Sequence, residues 1–350
     1  MNVLFYARHL YYLPQFIPVA EALGRRHQVT FGYSDKVTPE EEAILTAAVS
    51  SGGWQLLPPA DTIAGARKAD VLAVGAAGDA EGLAGSEALV VLLFHSIGLK
   101  TVYYTDSHPR IDLRFVETDY HRRRCLAAAP GVEIFAVGFA KLDPLFGESP
   151  PADDTLPTGP GPKLLYAPTF YPGSLELLGP LIPNWPPHWQ VVIKPHQFTY
   201  TNPFYRYQRV LLQDLVRRCP NVTLLPLTEY SILPAFNWAD VLISETSSTI
   251  IEFTALDRPI VVCDELHLRL HHRWRRGRYL RQRLDSELLG KLDFAHHAPT
   301  AGEVAVAVEA ALGRPDELAD RRQAGRKLLL GPIDGQAAQR VAATIEARLA

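Results

Sequence analysis

The chain keeps returning to short, almost wholly apolar runs separated by helix-patterned segments, and that alternation narrows its fold more than any other feature. In the first half the runs are NVLFYA (2–7), QVTFGY (28–33), DVLAVGAA (70–77), ALVVLLF (88–94) and KTVYYT (100–105). In the second half they are KLLYAPTF (163–170), WQVVIKPH (189–196), NVTLLPL (221–227), DVLISE (240–245) and PIVVCD (259–264). Runs of this length, rich in Val, Leu, Ile and aromatics, read as strands buried on both faces. Between them, PQFIPVAEALGRR places Phe16, Val19, Ala20 and Leu23 at helical spacing, and YQRVLLQDLVRRC is a second clear helix. Continuous apolar strands interleaved with helices imply parallel sheets covered on both faces.

Residues 147–162, GESPPADDTLPTGPGP, hold five prolines and three glycines and have no periodic pattern. That is linker composition. The expected organisation is an N-terminal Rossmann-like domain over 1–146, a Pro/Gly-rich linker over 147–162, and a C-terminal Rossmann-like domain over 163–350. The closing DGQAAQRVAATIEARLA is a long amphipathic helix with Ala338, Val341, Ala342, Ile345 and Leu349 on its packing side, able to pack back on the N-terminal domain. In doubly wound sheets ligands sit beyond the C-terminal strand ends, and with two domains a cleft between them is expected to hold the site.

The totals fit this picture. A length of 350 residues allows two ordinary domains. A hydrophobic fraction of 47% and a charged fraction of 21% describe a globular, ordered chain. The formal charge of −3 argues against nucleic acid as a partner. Cys125, Cys219 and Cys263 are odd in number and widely spaced. They offer neither a disulfide framework nor a metal knuckle, and suit a reducing compartment. The N-terminus lacks a secretory leader's long apolar core, and no stretch approaches the roughly eighteen apolar residues of a membrane span. A cytoplasmic protein is expected, with room for attachment to the inner face of a membrane.

The segments just beyond the strands carry the candidate chemistry. VLISETSSTIIEF runs from three apolar residues into Ser244, Thr246, Ser247, Ser248 and Thr249, five hydroxyls in six positions, and then into an apolar helix. One N-cap needs one such residue. Five suggest a cradle for phosphate, which also gains from the helix's unpaired amides and dipole. Lys194 and His196, in KPH, end a strand where they would neutralise or protonate phosphate. His95 ends the most apolar strand of the first half, with Lys100 just beyond, and suits a general base acting on an acceptor hydroxyl. Gly138, Lys141 and Asp143, in VGFAKLDPLF, precede the linker. Pro168 and Thr169, in YAPTFYPGS, form a rigid corner.

Several motifs are missing. There is no GxxxxGK[ST] loop, no GxGxxG after the first strand, no GxSxG elbow and no DxD pair at a strand end. His267, His271 and His272 have no carboxylate in register, and no metal site is expected. RLHHRWRRGRYLRQR is distinctive: seven arginines between Arg269 and Arg283, with Trp274 and Tyr279 among them. It reads as a solvated helix face or as a surface for anionic lipid headgroups or a phosphate-rich polymer.

With these residues in hand, the chain resembles the CDP-glycerol glycerophosphotransferase family, GT-B-fold enzymes that build teichoic-acid-type and capsule polymers. LISETSSTIIEF is similar to the family's strand, S-D-Y-S-S turn and apolar helix. ALDRPIVVCD resembles the segment next to it in the family. YAPTF resembles a Y-x-P-T box, KPH a basic-His box, GFAKLD a G-x-P-R-x-D box, and DGQAAQR the closing D-G-x-A-S-x-R. HSIGLK (95–100) stands where the family has H-G-x-P-x-K, with Ser96 and Gly98 as departures. Glu245 and Thr246 depart from the Asp-Tyr of the turn. The likeness runs from about residue 90 to 340, and the first 90 residues match only as a generic GT-B half.

The resemblance implies transfer of a polyol phosphate from a CDP-activated donor to a hydroxyl of a lipid-linked or polymeric acceptor, with CMP leaving. In that reading His95 deprotonates the acceptor, and His196 with Lys194 stabilises or protonates the phosphates. Ser247 and Ser248, with Ser244, Thr246, Thr249 and Thr169 about them, hold the donor, and Glu252 reaches its ribose. Lys100, Lys141 and Asp143 support the acceptor side. The donor is a substrate, and no cofactor or metal is expected, because phosphoryl transfer chiefly needs positioning and charge neutralisation. Two alternatives stay open: a GT-B glycosyltransferase or epimerase using a UDP-sugar, and a non-catalytic nucleotide-binding scaffold.

Overall fold

The apolar runs form two all-parallel sheets in a computed structural model that describes residues 1–83 and 87–350. Contacts divide the chain into two units: residues 1–97, 102–149 and 328–350 in the first, residues 98–101 and 150–327 in the second. Segment 98–101 thus groups with the second unit although it lies in the N-terminal half, and the last 23 residues group with the first.

The first unit's sheet contains β1 (Asn2–Ala7), β2 (Gln28–Tyr33), β3 (Gln55–Leu57), β4 (Val71–Val74), β5 (Leu89–Leu93), β6 (Leu113–Val116) and β7 (Glu133–Ala136), in the order β3-β2-β1-β4-β5-β6-β7. Phe5 and Val91 have no exposed surface, as the sheet's two covered faces require. The helix Leu13–Gly24 lays Phe16, Val19, Ala20 and Leu23 in the core. The closing helix, Ala337–Leu349, buries Ala338, Val341, Ala342 and Ile345, whereas Leu349, expected on that side, is 43% exposed.

The run KTVYYT is not a strand. Val102–Thr105 is a helical turn, and β6 takes the place beside β5. Arg114, buried within β6, accounts for the difference. Its guanidinium donates to the carbonyls of Tyr103 and Asp106 and lies over the Tyr103 ring at 5.2 Å. The cation satisfies carbonyls at a helical turn that would otherwise lack partners, while that turn covers its charge.

The second unit repeats the winding with β8 (Lys163–Tyr166), β9 (Gln190–Ile193), β10 (Val222–Leu224), β11 (Val241–Ser244), β12 (Ile260–Cys263) and β13 (His296–Ala298), ordered β10-β9-β8-β11-β12-β13. Both sheets therefore reverse strand order at their first strand, between β1 and β4 and between β8 and β11. Ligands favour the crevice at such a switch point. The Pro-rich segment is pinned to the second unit, because Pro157 O accepts from Trp238 Nε1 (2.8 Å) and Pro160 O from Gln190 Nε2 (2.8 Å).

Candidate functional site

At the second unit's switch point the residues after β11 and β8 bind each other. Glu245 Oε1 accepts the Thr169 amide (2.6 Å), and its Oε2 accepts the Ser174 hydroxyl (2.8 Å), which also bonds Tyr166 Oη (2.7 Å). The carboxyl is 1% exposed. Burial pushes its pKa up to about 8 against the lowering effect of those donors. Gly173 permits this approach, since a Cβ there would stand 2.6 Å from the Thr169 carbonyl oxygen and 3.3 Å from Glu245 Oε1.

The five hydroxyls divide by role. Ser244 is fully buried, and its Oγ donates to Ala167 O (2.8 Å), tying the end of β11 to that of β8. Thr246 is 6% exposed, with its hydroxyl toward Pro172 O at 3.5 Å. Ser247, Ser248 and Thr249 are half-buried and open the helix Thr249–Phe253; Ser247 Oγ accepts from the hydroxyl of Thr249 (3.0 Å). Ser244 and Thr246 thus tie the turn to the corner after β8, and Thr249, whose hydroxyl also lies 3.2 Å from Ser244 Oγ, links the turn to the helix, while Ser247 and Ser248 keep part of their surface exposed. Glu252, in the same helix, is wholly buried.

Lys194 and His196 lie just past β9, and both are half-buried. The Phe198 amide donates to His196 Nδ1 (3.1 Å). A nitrogen that accepts a backbone N–H carries no proton, so the neutral ring bears its proton on Nε2. The ring packs on Phe170 (centroids 4.6 Å apart), and the Lys100 ammonium lies over the same phenyl ring at 5.1 Å. Lys100 is held there by backbone pairing: Thr101 N donates to Arg283 O and Asp285 N to Leu99 O, both at 3.0 Å. Burial first, then the charge of Arg283, lowers its pKa to about 8, with Glu245 acting in the opposite sense. One face of the second unit therefore joins Lys100, His196 and, through Phe170 and Thr169, Glu245. A cavity of about 250 Å³ opens beside the turn, lined by Glu245, Thr246, Cys263, Leu280, Leu284 and Leu289 among others.

The first unit holds the other three predicted residues. His95 lies just past β5 and is half-buried. Its Nδ1 is 3.3 Å from Gly75 O, the residue after β4. A carbonyl only accepts, so Nδ1 carries the hydrogen and the neutral ring has its lone pair on Nε2. Tyr11 (4.5 Å), Tyr12 (5.2 Å) and Phe94 (4.8 Å) surround the ring. Gly75 makes room for Tyr12: a Cβ there would lie 2.4 Å from its ring. Beside them Arg8 pairs with buried Asp79 (3.1 Å), which also accepts the Tyr12 hydroxyl (2.9 Å).

Lys141 and Asp143 take part in a clasp on the last helix. Lys141 N donates to Gln15 Oε1 (2.8 Å). Asp143 accepts the amides of Ala337 (3.1 Å) and Ala338 (2.7 Å), and Arg340 Nε donates to Val137 O (2.7 Å). The GFAKLD and DGQAAQR boxes, far apart in sequence, thus meet in one structural joint.

Sequence reading missed His9 and Tyr11, stacked at 4.7 Å beside His95. Burial first, then the charge of Arg8, holds His9 at a pKa of about 4, and thus neutral. Their one signal was position, directly after β1. Among the described residues no His, Cys, Asp and Glu group of three or more is placed to hold a metal ion.

No family model and no curated protein matches the sequence. Solved structures do. A variant of the wall teichoic acid polymerase TagF superposes with a TM-score of 0.70 at 13% identity, covering 100% of this chain and 89% of that one. A putative UDP-N-acetylglucosamine 2-epimerase from Listeria monocytogenes gives 0.63 at 15%, over 100% and 96%. The UDP-GlcNAc 2-epimerase from Neisseria meningitidis bound to UDP-GlcNAc gives 0.61 at 14%, over 99% and 100%. At these identities the likeness is one of fold. The chain has the GT-B fold, two Rossmann-like doubly wound units, and shares it with TagF, in keeping with the resemblance read from its motifs.

Proposed function

We propose that the chain is a transferase that moves a polyol phosphate from a CDP-activated donor to an acceptor hydroxyl. The observation that carries this reading is that His95 and His196 are held in opposite tautomers by the backbone. His95, donating through Nδ1 to Gly75 O, presents a basic Nε2. His196, accepting through Nδ1 from the Phe198 amide, presents an Nε2–H donor. A phosphoryl transfer needs one of each: a base for the attacking hydroxyl and a donor for the phosphate oxygens.

In the proposed reaction the acceptor oxygen bonds to the donor's distal phosphorus as the bond from that phosphorus to the bridging oxygen breaks. His95 Nε2 takes the acceptor's proton, and CMP leaves with the bond's electrons. Lys194, Lys100 and the His196 N–H neutralise the pyrophosphate, while Ser247, Ser248 and Thr249 bind it. The donor is itself a substrate, and this reading assigns no cofactor. The acceptor is a lipid-linked or polymeric chain at the inner face of a membrane. Likeness in fold to TagF and the run of short motif resemblances support this reading. A UDP-sugar reaction is the second reading, supported by the similar likeness to epimerases, one of them bound to UDP-GlcNAc.

Calorimetric titration with CMP, CDP, UMP and UDP tests it, on wild type and on Ser247→Ala/Ser248→Ala. Cytidine-nucleotide binding lost in the double variant is the expected result. Preference for UDP moves the chain to the second reading, and no binding to any of the four overturns both.

A further inference from the structure

The arginine-rich stretch of the second unit meets the site above at Arg283, beside Lys100, and its surface chemistry is unusual. It forms two short helices, Leu270–Arg273 and Arg276–Arg283. Arg273, Arg275, Arg276, Arg278, Arg281 and Arg283 are exposed, and Arg269 is half-buried. Among the described residues, no ion pair joins any of the seven to a carboxylate. Three of them donate instead to neutral oxygens: Arg273 to Leu268 O, Arg283 to Tyr279 Oη and Arg269 to Tyr205 Oη. A concentration of cations without counter-charge is costly in self-repulsion and selects an anionic partner.

The apolar groups among these cations narrow the partner's identity. Trp274 is 93% exposed and Leu270 is 73% exposed, whereas Trp185 and Trp189 are 7% and 2% exposed. Phe204, 75% exposed, has Arg269 over its ring at 5.8 Å. A soluble polyanion would neutralise the arginines and leave these large apolar side chains in water. A bilayer surface answers both, with phosphate headgroups for the guanidinium groups and an interfacial layer for Trp, Leu and Phe. No helix among the described residues is long and apolar enough to cross a membrane, so the contact is with its surface.

We infer that residues 269–283, with Phe204, form a docking surface for anionic lipid headgroups, with Trp274 and Leu270 entering the interface. The inference does not depend on the transfer chemistry, and its test needs no turnover. The full chain is floated with phosphatidylcholine vesicles, with and without phosphatidylglycerol. Binding is expected only with phosphatidylglycerol and weakens as salt is raised. Arg273→Glu/Arg275→Glu/Arg276→Glu/Arg278→Glu is expected to weaken it by at least several hundredfold, at about fivefold for each cation lost. In wild type, brominated acyl chains quench tryptophan fluorescence. Trp274→Ala abolishes that quenching and lowers affinity, with the thermal transition unchanged.

Undiminished phosphatidylglycerol binding by the quadruple variant overturns the proposal. So does a wild-type protein that captures soluble polyphosphate through these arginines but ignores the vesicles.

Discussion

Glu245 and Thr169 join the two strands at which the second sheet reverses its order, by a 2.6 Å hydrogen bond from amide to buried carboxyl. Replacing Glu245 with Ala strands the Thr169 amide and the Ser174 hydroxyl and leaves a cavity. The expected cost is about 2–4 kcal/mol, read from urea denaturation.

Glu245→Gln keeps the shape and separates out the charge. The folded carboxyl titrates at about 8 against an ordinary value of 4.5, so the folded state holds its proton more tightly. The resulting stability is fully present below pH 4.5 and is lost as pH rises toward 8. The urea midpoint of wild type should therefore fall relative to that of Glu245→Gln across this window. Parallel midpoints would show that the carboxyl is ionised when folded.

His95→Ala is expected to lower turnover by about two to four orders of magnitude while calorimetric nucleotide affinity stays at wild-type strength. Equal losses of both would mean that His95 supports the fold rather than the proton transfer.

Gly75→Ala should cost about 1–3 kcal/mol by overpacking, because its Cβ meets the Tyr12 ring at 2.4 Å. Since Tyr12 packs on His95, the melting temperature and the environment of the His95 ring, tracked by NMR, should shift together.

Asp143→Ala removes both amide contacts at the start of the last helix. A loss of about 1–2 kcal/mol is expected from thermal unfolding. Asp143→Asn, which keeps an accepting oxygen, should restore much of it.

How readily a strand can be read from sequence depends on how it is buried. β4, β5 and β12 are continuous apolar runs because both faces are covered, and they stand out. β3 and β13 are three-residue edge strands, QLL and HHA, too short to show a period. β6 was hidden by Arg114, a cation in mid-strand whose partners are carbonyls of Tyr103 and Asp106. No local pattern reveals such a pairing. The hydroxyl-rich turn was visible as a composition. That Ser244 is buried against Ala167 O while Ser247 and Ser248 stay partly exposed depends on where β8 ends, which only the folded sheet decides. Glu245 appeared in the sequence merely as a departure from a motif, yet its side chain ties the turn to the corner after β8.

The contact boundaries at 97/98, 101/102, 149/150 and 327/328 also bear on how such a chain can be taken apart. A gene cut at the Pro-rich segment would yield a first fragment without its closing helix, leaving Asp143 with no amides to accept. The second fragment would lack the four residues that pair with 282–285 and carry Lys100. Neither product would equal a unit of the fold. Recombination that exchanged halves at this apparent seam would thus bring together mismatched clasps, so the two halves are bound to change as one inheritance.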